Sequence, residues 1–222
     1  QGEGSIVDYN RAGVPLMELV TEPAIHDAKT AGNFARELQL LLRTLGVSDA
    51  NMEKGEMRVE ANISISDTEK FGTKVEVKNL NSFKSVEGAI AFEIKRQSEL
   101  LDSGGVVVQE TRGWDETKGK TFSQRVKESA NDYRYFPDPD LPKINLSIGD
   151  LSVSRIQAIL PALPAEKREK YGNLGLTSEQ VEIIIADIEG GKFFSSVILN
   201  DDEREFVRLA ANYLTSDVIS LR

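Results

Sequence analysis

Apolar positions along the first half of the chain recur with two different periods, and each period predicts an element. Leu16-Met17-Glu18-Leu19-Val20 is a short apolar run interrupted by one carboxylate and bounded by Pro15 and Pro23, which predicts a buried strand. Ser5-Ile6-Val7-Asp8-Tyr9 ahead of it is strand-like too. From Asp27 to Leu45, Phe34, Leu38, Leu41, Leu42 and Leu45 fall at helical spacing, with Asp27 as N-cap and Gly46 as stop. Met57 to Ser66 alternates: Met57, Val59, Ala61, Ile63 and Ile65 lie on one side, and Arg58, Glu60, Asn62 and Ser64 on the other. That predicts a half-buried strand with a strongly polar second face. Lys74 to Lys78 alternates as well.

Ser82 has the chemistry of an N-cap for a long helix to about Leu101, closed by Ser103-Gly104-Gly105. Val106–Thr111 and Lys120–Arg125 read as strands around a turn at Asp115–Gly119, and Asp132–Pro142 is too rich in proline for regular structure. After about residue 150 the pattern becomes purely helical: Ser152–Leu160, Pro164–Tyr171, Thr177–Glu189 and Asp202–Leu214, with Gly172 and Gly190 as ends. The fold class this predicts is α+β, an alternating strand-and-helix part followed by the start of a helical one.

Composition narrows the chemistry. The 222 residues contain no cysteine and one histidine, His26, which excludes disulfides, zinc–thiolate and iron–sulfur sites and any multi-histidine metal site. No apolar run approaches the ~20 residues of a membrane span, so no membrane partner is expected. A formal net charge of −9 argues against binding nucleic acid by bulk charge, though not against a local basic surface. The chain starts without Met inside a polar turn and stops just after an apolar helical pattern, so it reads as a piece of a longer protein.

Polar residues placed within strands carry the most chemical information. Glu18 interrupts an apolar run, where an ionised carboxylate is costly unless paired or bound to metal. Arg58, Glu60 and Asn62 share one face at period two and can address one ligand. Lys78-Asn79-Leu80-Asn81-Ser82 ends a strand and opens a helix, where backbone N–H groups and the helix dipole favour phosphate. Together these offer oxygen ligands for Mg²⁺ and cationic and amide donors for phosphate, the assembly that phosphoryl transfer needs. Structural readings stand beside these: an Arg–Glu pair across a strand face, asparagines as turn formers or caps, and Glu18 paired with Arg11 or Arg58. His26, at a helix start, reads as a solvated or capping residue. Arg112, Arg125, Lys127 and Arg134, interleaved with Trp114, Tyr133, Tyr135 and Phe136, suit either a nucleic-acid end or an ordinary aromatic loop. Neither a GxxxxGK[ST] loop nor a GxGxxG after a strand is present.

At this point the sequence resembles a known family. The stretch from Val7 to Pro23 (VDYNRAGVPLMELVTEP) is similar to the signature of the B subunit of the bacterial and organellar aspartyl/glutamyl-tRNA amidotransferases. Further matches are Gly55–Ser64 (GEMRVEANIS), Glu76–Phe83 (EVKNLNSF), Gln109–Arg112 (QETR) and the Asp132–Pro142 loop, in order and over roughly residues 5–145. The helical part resembles the family's middle domain more loosely.

The resemblance implies a glutamine synthetase-like cradle domain, here residues 1–149 without its opening strands, then the start of a small all-helical domain, residues 150–222. It implies ATP and Mg²⁺ as cofactors. The reaction it implies is phosphorylation of the side-chain carboxylate of Glu-tRNA(Gln) or Asp-tRNA(Asn), followed by displacement of phosphate by ammonia. That makes the protein an ATP-dependent carbon–nitrogen ligase with glutamine as amido donor, partnered by an A subunit that releases the ammonia and a small C subunit. A bacterial cytoplasmic setting, or an organelle matrix or stroma, follows from the same likeness. Glu18 matches a metal-binding carboxylate of the family, Glu60 would be a second, Arg58 and Lys78 would neutralise phosphate oxygens, and Asn62, Asn79 and Asn81 would orient ligand groups. The family's Glu-x-His metal motif, its Glu-Asp-Ala-Gly segment and its tail domain are absent here, so this stretch alone is expected to be catalytically incomplete. Two other readings are a non-catalytic tRNA-docking scaffold of the same complex and an unrelated ATP-dependent carboxylate–amine ligase.

Overall fold

The computed structural model describes residues 6–10, 12–126, 136–137, 139, 142–199 and 203–221. Most of the Asp132–Pro142 loop, together with Lys127, Tyr133, Arg134 and Tyr135, therefore lies outside the described residues, as do Arg11 and the side chain of Arg125.

Helix α1 spans Ala28–Leu45. The Asp27 carboxylate accepts from the Thr30 amide at 2.8 Å and the Thr30 hydroxyl at 2.6 Å. These two bonds hold its carboxyl below the usual aspartate range. Gly46 ends the helix at φ +67°, the left-handed conformation that a residue without Cβ adopts most easily. Strands β1 (Val59–Ile63) and β2 (Val75–Leu80) pair antiparallel. Helix α2 (Phe83–Asp102), capped by Ser82 on the Ser85 amide, crosses over to β3 (Glu110–Asp115), which runs parallel to β2. A turn at Asp115–Lys120 leads into antiparallel β4 (Lys120–Val126), giving a mixed sheet in the order β1-β2-β3-β4. One face of the sheet packs on α2 through Ala61, Ile63, Val77, Val86 and Ala89, and α1 packs on α2 from outside.

The described residues beyond Gly149 form helices: α3 (Val153–Ile159), α4 (Pro164–Asn173), α5 (Ser178–Ala186), α6 (Ile188–Val197) and α7 (Arg204–Tyr213), continued by one wider turn at Leu214–Val218. Tyr171, Ile184, Ile185, Phe194, Val207 and Ala211 form their core, with Tyr171 and Phe194 edge to face at 5.3 Å. Leu40 of α1 packs against that core. Among the described residues no helix is long and apolar enough to cross a membrane. The α+β class predicted from the pattern is the class observed.

Four local expectations are corrected. Leu16–Val20 is neither a strand nor buried: residues 16–20 are extended and exposed, with Leu16 at 93%. Among the described residues no ladder partner takes up their backbone hydrogen bonds, and without one a five-residue run between prolines does not hold as a strand. Ile6–Tyr9 is irregular too, and the Asp8 carboxylate accepts from the Asn10 amide at 2.9 Å to form a local turn. The strand expected at Val106–Thr111 begins only at Glu110, because its register is set by β2 on one side and the β4 turn on the other. The single helix expected over Thr177–Glu189 breaks at Asp187, whose carboxylate caps the Gly190 amide at 3.0 Å and starts α6. Gly190 thus lies in a first turn rather than at an end.

Candidate functional site

Alternation along β1 and β2 sorts the side chains cleanly. Val75 and Val77 are fully buried and face the core, whereas Glu60 and Asn62 on β1 are exposed and Glu76 and Lys78 on β2 half-buried on the other face. The Lys78 ammonium sits between two carboxylates, 3.3 Å from Glu60 Oε1 and 3.7 Å from Glu76 Oε1. Burial pulls its pKa down, but Glu60 and Glu76 outweigh that and hold the ammonium above its ordinary value. Across the parallel ladder Thr111 lies opposite Glu76, and its hydroxyl donates to Glu76 Oε2 at 2.8 Å. Gly113 lies opposite Lys78, and a Cβ there would come within 2.5 Å of Gln124 Nε2 and 2.6 Å of Phe122 Cζ. Both β4 side chains therefore fold across the bare glycine on the same polar face.

The other expected site residues fall as follows. Arg58 is exposed just ahead of β1, in phase with Glu60 and Asn62. Asn79 and Asn81 are exposed at the end of β2 and before the α2 cap. Glu18 belongs to the extended N-terminal segment, and among the described residues no hydrogen bond or ion pair joins it to the sheet face. His26 is exposed next to the α1 cap. The structure thus brings Glu60 and Lys78 together, places Arg58 and Asn62 on the same side, and leaves Glu18 apart.

Two members of the cluster, Glu76 and Thr111, escape the sequence reading. Glu76 is legible in principle, since it alternates with Val75 and Val77 in phase with Lys78. Thr111 is not, because its place depends on the parallel register of strands separated by a 20-residue helix.

A second polar cluster lies beneath the sheet. Glu93 of α2 is fully buried, yet Arg96 donates to both its oxygens at 2.9 and 2.8 Å, Gln97 at 3.0 Å and Thr121 at 2.5 Å. Arg112 Nε stands 3.1 Å from it, and the Arg112 Nη1 donates to Glu110 at 2.5 Å. Two carboxylates and two guanidiniums balance, which makes this a structural tie between α2 and the β3–β4 hairpin rather than a reactive centre. The expectation that Arg112 and Trp114 suit a nucleic-acid end is corrected for these two: Arg112 is spent in this network, and Trp114 packs edge to face on Phe92 at 6.4 Å.

Among the described residues no three Asp, Glu or His side chains converge as a closed metal site. The two carboxylates Glu60 and Glu76 on one open face still suit Mg²⁺, which binds through one or two carboxylates and takes its remaining oxygens from water and phosphate. The donor set is all oxygen, as that ion requires.

The mixed sheet and its acid–lysine cluster lie within residues 1–151, which match the GatB/GatE catalytic domain family, and the chain belongs to that family. Among curated relatives, the chain is 46% identical over 217 residues to the B subunit of the aspartyl/glutamyl-tRNA(Asn/Gln) amidotransferase of Nostoc sp., covering 96% of this chain and 43% of the relative. It is 46% identical over 222 residues to the subunit of the same name from Persephonella marina, covering 99% of this chain and 46% of the relative. The B subunit of the chloroplastic/mitochondrial glutamyl-tRNA(Gln) amidotransferase of Ricinus communis is also 46% identical, over 219 residues, 97% of this chain and 39% of the relative. The chain thus spans less than half the length of the curated relatives it matches.

Proposed function

We propose that this chain is part of the B subunit of a tRNA-dependent amidotransferase, which uses ATP to activate the side-chain carboxylate of Glu-tRNA(Gln) or Asp-tRNA(Asn) for amidation. In that reading residues 1–149 are a glutamine synthetase-like cradle and residues 150–222 the start of a helical domain. The partners are an A subunit that supplies ammonia from glutamine and a C subunit, and the setting is the bacterial cytoplasm or an organelle matrix. The observation that carries the reading is the Lys78 ammonium held between Glu60 and Glu76 on a polar sheet face, inside the family-matched region.

A carboxylate resists ammonia because its carbonyl carbon is electron-rich and its leaving group poor; phosphorylation remedies both. Lys78, with Arg58 in phase with Glu60 on the polar side of β1, would bind and neutralise the oxygens of the transferring phosphoryl group. Glu60 and Glu76, joined by Glu18 on the strength of the family signature, would hold Mg²⁺, which supplies positive charge to the phosphate oxygens when bound. Thr111 fixes the Glu76 carboxylate through its hydroxyl. Of the three asparagines expected to orient ligand groups, Asn62 and Asn81 would do so through their amides, while the left-handed backbone of Asn79 sets it apart from that role.

The test is ATP hydrolysis by the assembled complex containing the full-length subunit, with and without mischarged tRNA. Wild type should hydrolyse ATP only with Glu-tRNA(Gln) or Asp-tRNA(Asn) present, and Lys78→Ala and Glu18→Ala should each abolish it. Turnover indifferent to tRNA would reject the reading. Turnover that survives Glu18→Ala would remove Glu18 from the site.

A further inference from the structure

The β1–β2 ladder holds an irregularity at its most chemically loaded point. Val59 pairs with Leu80 and Ala61 with Val77, so one residue of β1, Glu60, faces two of β2, Lys78 and Asn79. This is a β-bulge. Asn79 adopts φ +63°, one of two non-glycine residues with positive φ among the described residues. Asparagine is the side chain that tolerates this left-handed region best after glycine.

The bulge changes which side chains reach which face. With strict alternation from the buried Val75 and Val77, position 79 would enter the core and Leu80 would emerge beside Lys78. Instead Asn79 is exposed and Leu80 is 2% exposed within the core. The extra residue lets β2 keep Lys78 on the polar face and still bury Leu80 in the core, two residues before the Ser82 cap of α2.

We infer that Asn79 is a positioning residue that acts through its backbone: its left-handed conformation forms the bulge that holds the Lys78 ammonium between Glu60 and Glu76. The functional part of this inference rests on the phosphate-binding role proposed for Lys78; the geometric part does not. The asparagine amide need not touch any ligand, so glycine should replace it and alanine should not.

The test uses the assembled complex with wild type, Asn79→Gly and Asn79→Ala, and two readouts. The first is the rate at which an amine-acylating reagent labels Lys78, followed by mass spectrometry, since an ammonium held by two carboxylates reacts slowly. The second is the KM for ATP in tRNA-dependent hydrolysis. Asn79→Gly should match wild type within about twofold in both, because glycine adopts the left-handed region freely. Asn79→Ala should label severalfold faster, raise KM by roughly tenfold and lower kcat as well, as the strained bulge relaxes and Lys78 leaves its place. Unchanged labelling in Asn79→Ala would overturn the inference, because the bulge would then not hold Lys78. So would an equal rise in KM in Asn79→Gly and Asn79→Ala, which would show the amide contacting ligand, or no rise in either. If wild type shows no tRNA-dependent hydrolysis, the proposed function falls, and the labelling rates still decide the geometry.

Discussion

The Arg168 guanidinium of α4 closes a fork on Glu37 of α1, Nη1 to Oε1 at 2.7 Å and Nη2 to Oε2 at 2.8 Å, across 131 residues of chain. The same guanidinium reaches Glu182 of α5, through Nε at 2.7 Å and Nη2 at 3.0 Å. Glu182 and Glu37 together hold the guanidinium well above its ordinary pKa. With Leu40 packed nearby, this fork ties the helix that backs the sheet region to the helical core.

Arg168→Lys should cost about 1 kcal/mol of stability, because one ammonium cannot serve two carboxylates with paired bonds. A double-mutant cycle of Glu37→Ala and Arg168→Ala, read by urea unfolding of the full-length subunit, should give a coupling of about 0.5–1 kcal/mol that shrinks as salt is added. Additive effects of the two substitutions would mean that the fork carries no energy.

Glu93 sets an acid limit on stability. Burial pushes its pKa up, but the hydrogen bonds from Arg96, Gln97 and Thr121 outweigh burial and hold the carboxyl below the ordinary glutamate value of 4.5. A carboxylate depressed in the folded state binds its proton more readily when unfolded. Its contribution is therefore complete above that ordinary value and is lost as pH falls through the lower folded one. Glu93→Gln should cost about 3–5 kcal/mol at neutral pH by leaving Arg112 and Arg96 short of a partner, and it should flatten the acid limb of the stability–pH curve. An acid limb unchanged in Glu93→Gln would assign that limb to other carboxylates.

Lys78 makes the opposite statement about alkali. With its pKa held above 10.5, the ammonium persists through neutral pH, and its stabilising contact is complete below that value and lost as pH rises through the higher folded one. Lys78→Met should lower ATP turnover by roughly 10²-fold or more, the scale of a lost charge-stabilising donor. Between about pH 7 and 9 the wild-type pH–rate profile should show no decline that Lys78→Arg abolishes. Such a decline would mean that the lysine titrates early and is not held by its carboxylates.

Gly113 is a steric requirement of the same face. A Cβ there meets Phe122 and Gln124 inside van der Waals distance, although both contacts are at the ends of side chains that can swing aside. Gly113→Val should destabilise by about 1–3 kcal/mol, whereas Phe122→Ala in the Gly113→Ala background should restore part of a smaller loss. If Phe122→Ala gives no relief, the crowding lies with Gln124 instead.

Much of this architecture is legible locally. Asp27 and Ser82 announce the two long helices because a cap is a contact within three residues, and the Met57–Ser66 alternation announces both faces of β1 because the strand period is two. Glu60 and Lys78 can be assigned to the polar side for the same reason. The Leu16–Val20 run shows the limit of that logic: its apolar pattern is real, but a strand also needs a neighbour to take its backbone hydrogen bonds, and no pattern within the run supplies one.

The helix caps, the alternating faces, the α+β class and the family motifs can all be read along the chain, because each depends on residues a few positions apart. Four relationships could be settled only by folding: Thr111 steadies Glu76, Asn79 inserts the bulge beneath Lys78, Glu93 is neutralised by Arg96 and Arg112, and Arg168 grips Glu37. Each of these depends on strand register or helix docking between distant segments, and register is set by the combined burial of whole faces rather than by any short stretch that forms them.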